Sequence, residues 1–228
     1  QVVLQGVSKA PGMVPVGGVD SAANQDLLPL PDGGSILLST DLDSAIEACR
    51  PQVMVDFTVA SASPPGVKRS IAHGVHQVIG TTGLGDEDLE EFDRLAREHG
   101  VGVFVAPNFA LGAVLLIHQA RALARYFDYA EVIEAHHETK IDAPSGTALA
   151  IARALVEGHG GPFQRNVPEK EPAPGARGAE YQGVSIHAQR MPGRLAHHEV
   201  ILGAEGQTLT LRHDTVGREC YILGVLTA

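Results

Sequence analysis

Cysteine is scarce in this sequence: Cys49 and Cys220 are the only two among 228 residues. Two thiols in no metal-like spacing argue against a disulfide framework. They point instead to a reducing compartment, the cytoplasm or an organelle stroma. Basic residues are outnumbered, with Lys+Arg at 17 against Asp+Glu at 27, a formal net charge of −10. That balance argues against a nucleic-acid partner, which needs a basic stripe. It still allows an anionic small molecule, because a single cleft can be locally positive. No run of about 18 apolar residues occurs, so no membrane span is expected. There is no secretory signal, no initiating Met, no internal repeat and no block of like charge. What remains is an ordinary globular balance, 44% hydrophobic and 19% charged. The length suits one large domain or two modest ones, with a core that needs no disulfide or metal as a staple.

The first half alternates short apolar runs with helical patterns. Gln52-Val53-Met54-Val55-Asp56-Phe57 has the β-branched character of a buried strand. Residues 64–74 follow with Val67 and Ile71 four apart, a helical spacing. His76-Gln77-Val78-Ile79-Gly80 is a second strand. Residues 86–99 place Leu89, Phe92, Leu95 and Ala96 on one face, with acids at the start and Gly100 at the end. The acid run 86–91 reads as a solvated helix start. Residues 101–105 give a third strand, and the alternation predicts a parallel sheet covered by helices.

The pattern then changes near residue 109. Residues 111–127 read as a helix, 130–135 as an alternating strand, and 146–157 as an Ala/Leu-rich helix stopped by Gly158. Residues 158–183 carry many Gly and Pro and read as a long loop. Residues 184–190, 199–202 and 208–213 read as sheet strands, separated by turns at Pro192-Gly193 and 203–206. Before that change lies a βαβ nucleotide-type layer, and after it one helix-bearing segment and then mostly strands.

The densest chemistry lies in Glu134-Ala135-His136-His137-Glu138-Thr139-Lys140-Ile141-Asp142-Ala143-Pro144-Ser145-Gly146-Thr147. This segment sits between a strand and a helix, where open α/β folds place ligands. Backbone N–H groups at a helix start, with the Ser145 and Thr147 hydroxyls, form a seat for a carboxylate. Ser145 also serves as the N-cap of that helix. Lys140 offers an ammonium or a proton. His136 and His137 are adjacent, so on a strand they face opposite sides unless the strand ends there. A histidine titrates near neutrality and can deliver or remove a proton. The chemistry is that of a reader of anionic substrates with an acid/base group beside it. A structural loop with two solvent-facing histidines is the plainer alternative. The ligand spacing fits no familiar closed zinc set, and no metal is expected.

This segment, through Ala148, resembles the signature of the 4-hydroxy-tetrahydrodipicolinate reductase (dihydrodipicolinate reductase) family. Other stretches agree in order: Val55-Asp56-Phe57-Thr58, Gly80-Thr81-Thr82-Gly83, Ala106-Pro107-Asn108-Phe109-Ala110-Leu111-Gly112, 197–203 and 211–214. The resemblance implies a Rossmann-like parallel-sheet, dinucleotide-binding domain at 1–108, joined by 218–228, plus an α+β substrate-binding and tetramerisation domain at 109–217 with a mixed open sheet. It implies hydride transfer from NADH or NADPH to a cyclic dicarboxylate in lysine and diaminopimelate biosynthesis, by a homotetramer. By motif, His136 would be the proton donor/acceptor and Lys140 a proton donor, with His137, Ser145, Gly146 and Thr147 binding substrate. Gly80, Thr81, Thr82, Ala106, Pro107, Asn108 and Phe109 would contact the cofactor. Asp20 ends the apolar run 14–20 and would bond the adenosine ribose hydroxyls. No Arg follows it closely, which leans toward NADH.

Two family features are not in this sequence: the G-x-x-G-x-x-G turn near the start, and the final helix and strand after residues 224–226. Gly6 and Gly12 read as a helix end and a loop. The chain is therefore expected to be a portion of a longer protein, with apolar edges exposed where the first strand is lost. Competing readings are a non-catalytic dicarboxylate binder and another dehydrogenase on the same scaffold, such as an amino-acid dehydrogenase.

Overall fold

The alternation of β-branched runs with amphipathic stretches becomes a layered α/β arrangement in the computed structural model, which describes residues 2–31, 33–168 and 170–228. The chain divides into one unit of residues 1–110 with 221–228 and a second of residues 111–220.

The first unit runs α1 (Val2–Lys9), β1 (Gly17–Val19), β2 (Leu27–Pro29), β3 (Ser35–Ser39), α2 (Leu42–Cys49), β4 (Val53–Asp56), α3 (Ser63–Ala72), β5 (His76–Ile79), α4 (Asp86–His99) and β6 (Val103–Val105). Strands β4, β5 and β6 form a parallel sheet in that order. A second sheet has the order β1-β3-β2, with β1 parallel and β2 antiparallel to β3. Val67 and Ile71 of α3 pack with Ile79 and Phe92 in one buried cluster, so the four-residue spacing does make a core face. The acids at the start of α4 lie in solvent, and the Asp88 carboxylate accepts from the Gly85 N–H at 3.2 Å. Strand β6 begins at Val103 rather than Val101. Gly100 closes α4 in the left-handed conformation (φ 67°), and the Val101 N–H bonds back to Ala96 O at 3.0 Å, so it is not free for a strand. The edge strands β1 and β4 expose apolar side chains, Val19 at 43% and Val53 at 49%.

The second unit runs α5 (Leu111–Ala124), β7 (Tyr129–His136), α6 (Gly146–His159), β8 (Ala179–Tyr181), β9 (Val184–Arg190), β10 (Ala196–Ala204) and β11 (Gln207–Thr215). The last element, α7 (Cys220–Thr227), carries Val225 into a first-unit cluster with Val78 and Phe109. The sequence reading assigned no element to α7, nor to β2, β3 and α2.

Two boundaries differ from the sequence pattern. Helix α5 stops at Ala124 rather than near 127, because Tyr126 N–H and Phe127 N–H bond three residues back, to Leu123 O and Ala124 O, and tighten the chain into a turn. Helix α6 runs through Gly158 and ends at Gly160, the left-handed residue (φ 87°). Gly158 is needed for another reason: a Cβ there would overlap the Arg121 carbonyl of α5, so its absence lets the two helices meet.

The five-stranded sheet of this unit is mixed, in the order β11-β10-β7-β9-β8. One face carries Val132 of β7 beside Ile186 of β9, Val200 of β10 and Leu211 of β11. Val132, Val200 and Leu202 are 0% exposed and pack with Ile151 and Leu155 of α6. Each fully buried aliphatic chain of this size contributes about 1.5–3 kcal/mol.

Candidate active site

Toward the end of β7 nearest the start of α6, this same sheet face changes from aliphatic to ionisable. Residues two apart on a strand share a face, so Val132, Glu134 and His136 point the same way. Register adds their neighbours: Glu134 lies opposite His198 of β10, which lies opposite His213 of β11, and His136 lies beside Arg190 of β9. Glu134 is 0% exposed.

Four hydrogen bonds converge on the Glu134 carboxylate. Arg190 donates through Nη1 to Oε2 and through Nη2 to Oε1, both at 2.8 Å. His136 Nδ1 lies 2.5 Å from Oε2, and the Ser145 N–H donates to Oε1 at 3.1 Å. Burial by itself would raise the pKa of this carboxyl. The Arg190, His136 and Ser145 hydrogen bonds outweigh it and hold the group below the ordinary glutamate value. Such charge-assisted, bidentate contacts are the strong class of hydrogen bond.

His136 closes β7 and is buried, while His137 is exposed with its Nδ1 2.7 Å from Thr139 Oγ1. The strand ends between them, so strict alternation no longer governs their directions. Burial pushes the His136 pKa below its usual value; Lys140 and Arg190 lower it too, against the raising effect of Glu134. His198 is pushed down to about 4, mainly by burial and then by the neighbouring His136. It is therefore neutral near pH 7, with its ring 5.4 Å from that of His136 and Nε2 3.4 Å from Ser145 Oγ.

Ser145 caps α6 by accepting from the Ala148 N–H at 3.2 Å. Gly146 and Thr147 occupy the first turn, whose N–H groups have no partner within the helix. A Cβ at Gly146 would meet no atom of the described residues within 4 Å, so there is room beside it, while Lys140, and with it the Gly146 N–H, acts on the Asp142 carboxylate and holds its pKa below the usual value. Beside it, Lys140 Nζ pairs with Asp142 Oδ1 at 2.7 Å. Arg190 Nη2 also donates to Asp142 O at 2.6 Å, which ties the segment between β7 and α6 to β9.

The sequence singled out His136, His137, Lys140, Ser145, Gly146 and Thr147, and the structure gathers them around the end of β7 and the start of α6. It missed Arg190 and His198, and gave Glu134 no role. The available signal was the inward face of each strand: Val184, Ile186, Ala188, Arg190 in β9 turn ionisable at the level of His136, and Leu202, Val200, His198 in β10 at the level of Glu134.

In the first unit, the expected cofactor residues lie at the carboxyl edge of the β4-β5-β6 sheet. Gly80 follows β5, and a Cβ there would overlap the Phe57 ring. Phe57 meets Phe109 edge-on at 5.3 Å, which brings the Gly80 and Phe109 loops together. Ala106 N–H bonds Ile79 O at 3.0 Å, and Asn108 Oδ1 accepts from Ala110 N–H at 2.8 Å, a turn that seats Phe109. Thr81 is buried, its hydroxyl donating to Asp56 at 3.2 Å, whereas Thr82 and Pro107 are exposed. Asp20 lies elsewhere in the unit, at the carboxyl end of β1, exposed, its Oδ1 accepting from Ala22 N–H at 2.9 Å.

Comparison with known proteins gives these sites a family. Residues 1–109 match the family model "Dihydrodipicolinate reductase, N-terminus", and residues 112–228 match "Dihydrodipicolinate reductase, C-terminus". The 4-hydroxy-tetrahydrodipicolinate reductase of a Dehalococcoides mccartyi strain is 50% identical over 229 residues, covering 100% of this chain and 86% of its own. The enzyme of the same name from Moorella thermoacetica is 49% identical over 87% of this chain and 74% of its own. A solved dihydrodipicolinate reductase from Paenisporosarcina sp. TG-14, with dipicolinate bound, superposes with a TM-score of 0.87 at 37% identity, covering 99% of this chain and 86% of that one. An amino-terminal nucleotide-binding domain of this kind takes a pyridine nucleotide. The chain is an oxidoreductase and belongs to the dihydrodipicolinate reductase family.

Proposed function

We propose that the protein reduces 4-hydroxy-tetrahydrodipicolinate to tetrahydrodipicolinate in lysine and diaminopimelate biosynthesis. The observation that carries this reading is the joining of an imidazole, His136, and the start of α6 through one buried carboxylate, Glu134. A cyclic dicarboxylate suits both halves. One carboxylate takes the N–H groups of Gly146 and Thr147, with the Ser145 cap fixing their direction. The other takes the Lys140 ammonium, which exchanges its bond to Asp142 for the ligand, and the exposed His137 ring stands on the same segment. His136 exchanges a proton with the substrate, and Lys140 is the second proton donor.

The first unit fits a dinucleotide at the carboxyl edge of its parallel strands, where ligands of such sheets bind. Gly80 keeps the backbone low beneath Phe57, Thr82 follows in the same loop after β5, and Ala106, Pro107 and Asn108 follow β6. When bound, the reduced nicotinamide supplies the hydride. Asp20, an exposed acid with no basic residue among the five that follow, favours ribose hydroxyls over a 2′-phosphate. NADH is accordingly the expected preference over NADPH. A homotetramer in the cytoplasm completes the proposal. No helix of the described residues is long and apolar enough to cross a membrane, and the sheet face away from α5 and α6 leaves Ile133 and Ile201 only half-buried.

The test is oxidation of NADH and NADPH on addition of the substrate. Substrate-dependent oxidation supports the reading, with NADH used at the higher kcat/KM. Folded protein that binds dipicolinate and oxidises neither nucleotide would mark a non-catalytic binder instead.

A further inference from the structure

The proton-handling role given to His136 raises the question of which ring nitrogen carries the exchanging proton, and the surroundings of the ring answer it. Nδ1 faces Glu134 Oε2 at 2.5 Å. A carboxylate held by Arg190 through both oxygens is ionised and can only accept. Nδ1 must therefore carry a hydrogen in the neutral ring as well as in the charged one. Among the described residues Nε2 has no hydrogen-bond partner, so it is the nitrogen whose protonation changes.

The same carboxylate does a second thing. Its Oε1 accepts from the Ser145 N–H, the residue that caps α6. Arg190, on another strand, reaches both Glu134 and the Asp142 carbonyl. The imidazole, the start of α6 and the segment between them are thus tied to one buried ion pair. The groups facing His136 are Glu134 on its own strand, Arg190 from β9, Lys140 from the following segment and His198 from β10.

We propose that Glu134, locked by Arg190, is a positioning residue that fixes His136 as the Nδ1–H tautomer, so that Nε2 is the nitrogen exchanging a proton with the bound dicarboxylate. This rests on the acid/base role given to His136 above. An orienting carboxylate of this kind works by selecting tautomer and ring direction.

The wild-type ring state is read without any variant. Two-bond ¹⁵N–¹H correlation spectra of the full chain, with the His136 signals assigned by their loss in His136→Ala, should show the neutral ring protonated at Nδ1. A neutral His136 protonated mainly at Nε2 overturns the proposal. Glu134→Gln keeps the shape and removes the charge. In that variant His136 should populate both tautomers and titrate about one pH unit lower or more. Its kcat should fall about 10- to 10⁴-fold, with the KM for reduced nucleotide unchanged within about two-fold. A folded Glu134→Gln protein with wild-type kcat and an intact Nδ1–H tautomer also overturns it. Wild-type turnover in His136→Ala removes the acid/base reading itself, a result separate from the tautomer in the wild-type spectrum.

Discussion

Replacing Arg190 by methionine should expose what the buried ion pair does for stability. The change keeps an unbranched chain against β7 but deletes two charge-assisted bonds of 2.8 Å to a carboxylate that is wholly buried. Removing one partner of a buried pair leaves the other charge stranded, which costs about 3–5 kcal/mol. The penalty should depend on pH. In the wild type Glu134 titrates below its unfolded value, so its contribution is fully present above the unfolded pKa and is lost as pH falls through the folded one. Without the guanidinium, burial dominates and the folded pKa rises above the unfolded value. The stranded charge then destabilises at neutral pH, and that penalty fades as acid protonates it. The gap between wild type and Arg190→Met should therefore narrow from neutral pH down to about pH 4.5, by about 1.4 kcal/mol for each unit the folded pKa has moved. Urea unfolding followed by circular dichroism across that range measures it. A variant within about 1 kcal/mol of wild type at neutral pH, or a gap that does not change with pH, refutes the reasoning.

Three further outcomes follow from the same structure. His136→Ala should lower kcat by about 10²–10⁴-fold with little change in cofactor affinity, as measured by steady-state turnover and nucleotide titration. Lys140→Ala should be similarly damaging, and saturating substrate should not restore the rate; restoration would reduce Lys140 to a binding contact. Gly158→Ala should destabilise by about 1–3 kcal/mol in urea unfolding because the new methyl meets the Arg121 carbonyl, although alanine is the better helix former by about 1 kcal/mol. A stabilised Gly158→Ala protein would show that the two helices are not in contact there.

Local pattern carried much of this fold. The β4–α3–β5–α4–β6 run was legible because each strand is a short β-branched stretch and each helix keeps a buried stripe, as Val67 and Ile71 show. Three-residue strands such as β1 and β2 offer no periodicity to detect, and they went unread or were placed loosely within a longer run. Gly158 misled because a glycine near a helix end has two physical uses, a left-handed cap or a close approach of backbones, and the sequence does not say which. The site was legible where it is contiguous. The segment from Glu134 to Thr147 holds proton donors and helix-start amides in one stretch. Arg190 and His198 lie 56 and 53 residues from their partners Glu134 and Ser145, and only strand register brings them together. Their clue was weaker: an ionisable residue at the end of an otherwise aliphatic strand face.

A crystal structure of the protein with dipicolinate tests the central claim most directly. The account predicts one carboxylate of the ring on the N–H groups of Gly146 and Thr147 and the other on Lys140 Nζ, released from Asp142, with His136 Nε2 facing the ring. A ring bound away from the start of α6, with the Lys140–Asp142 pair intact, would contradict it.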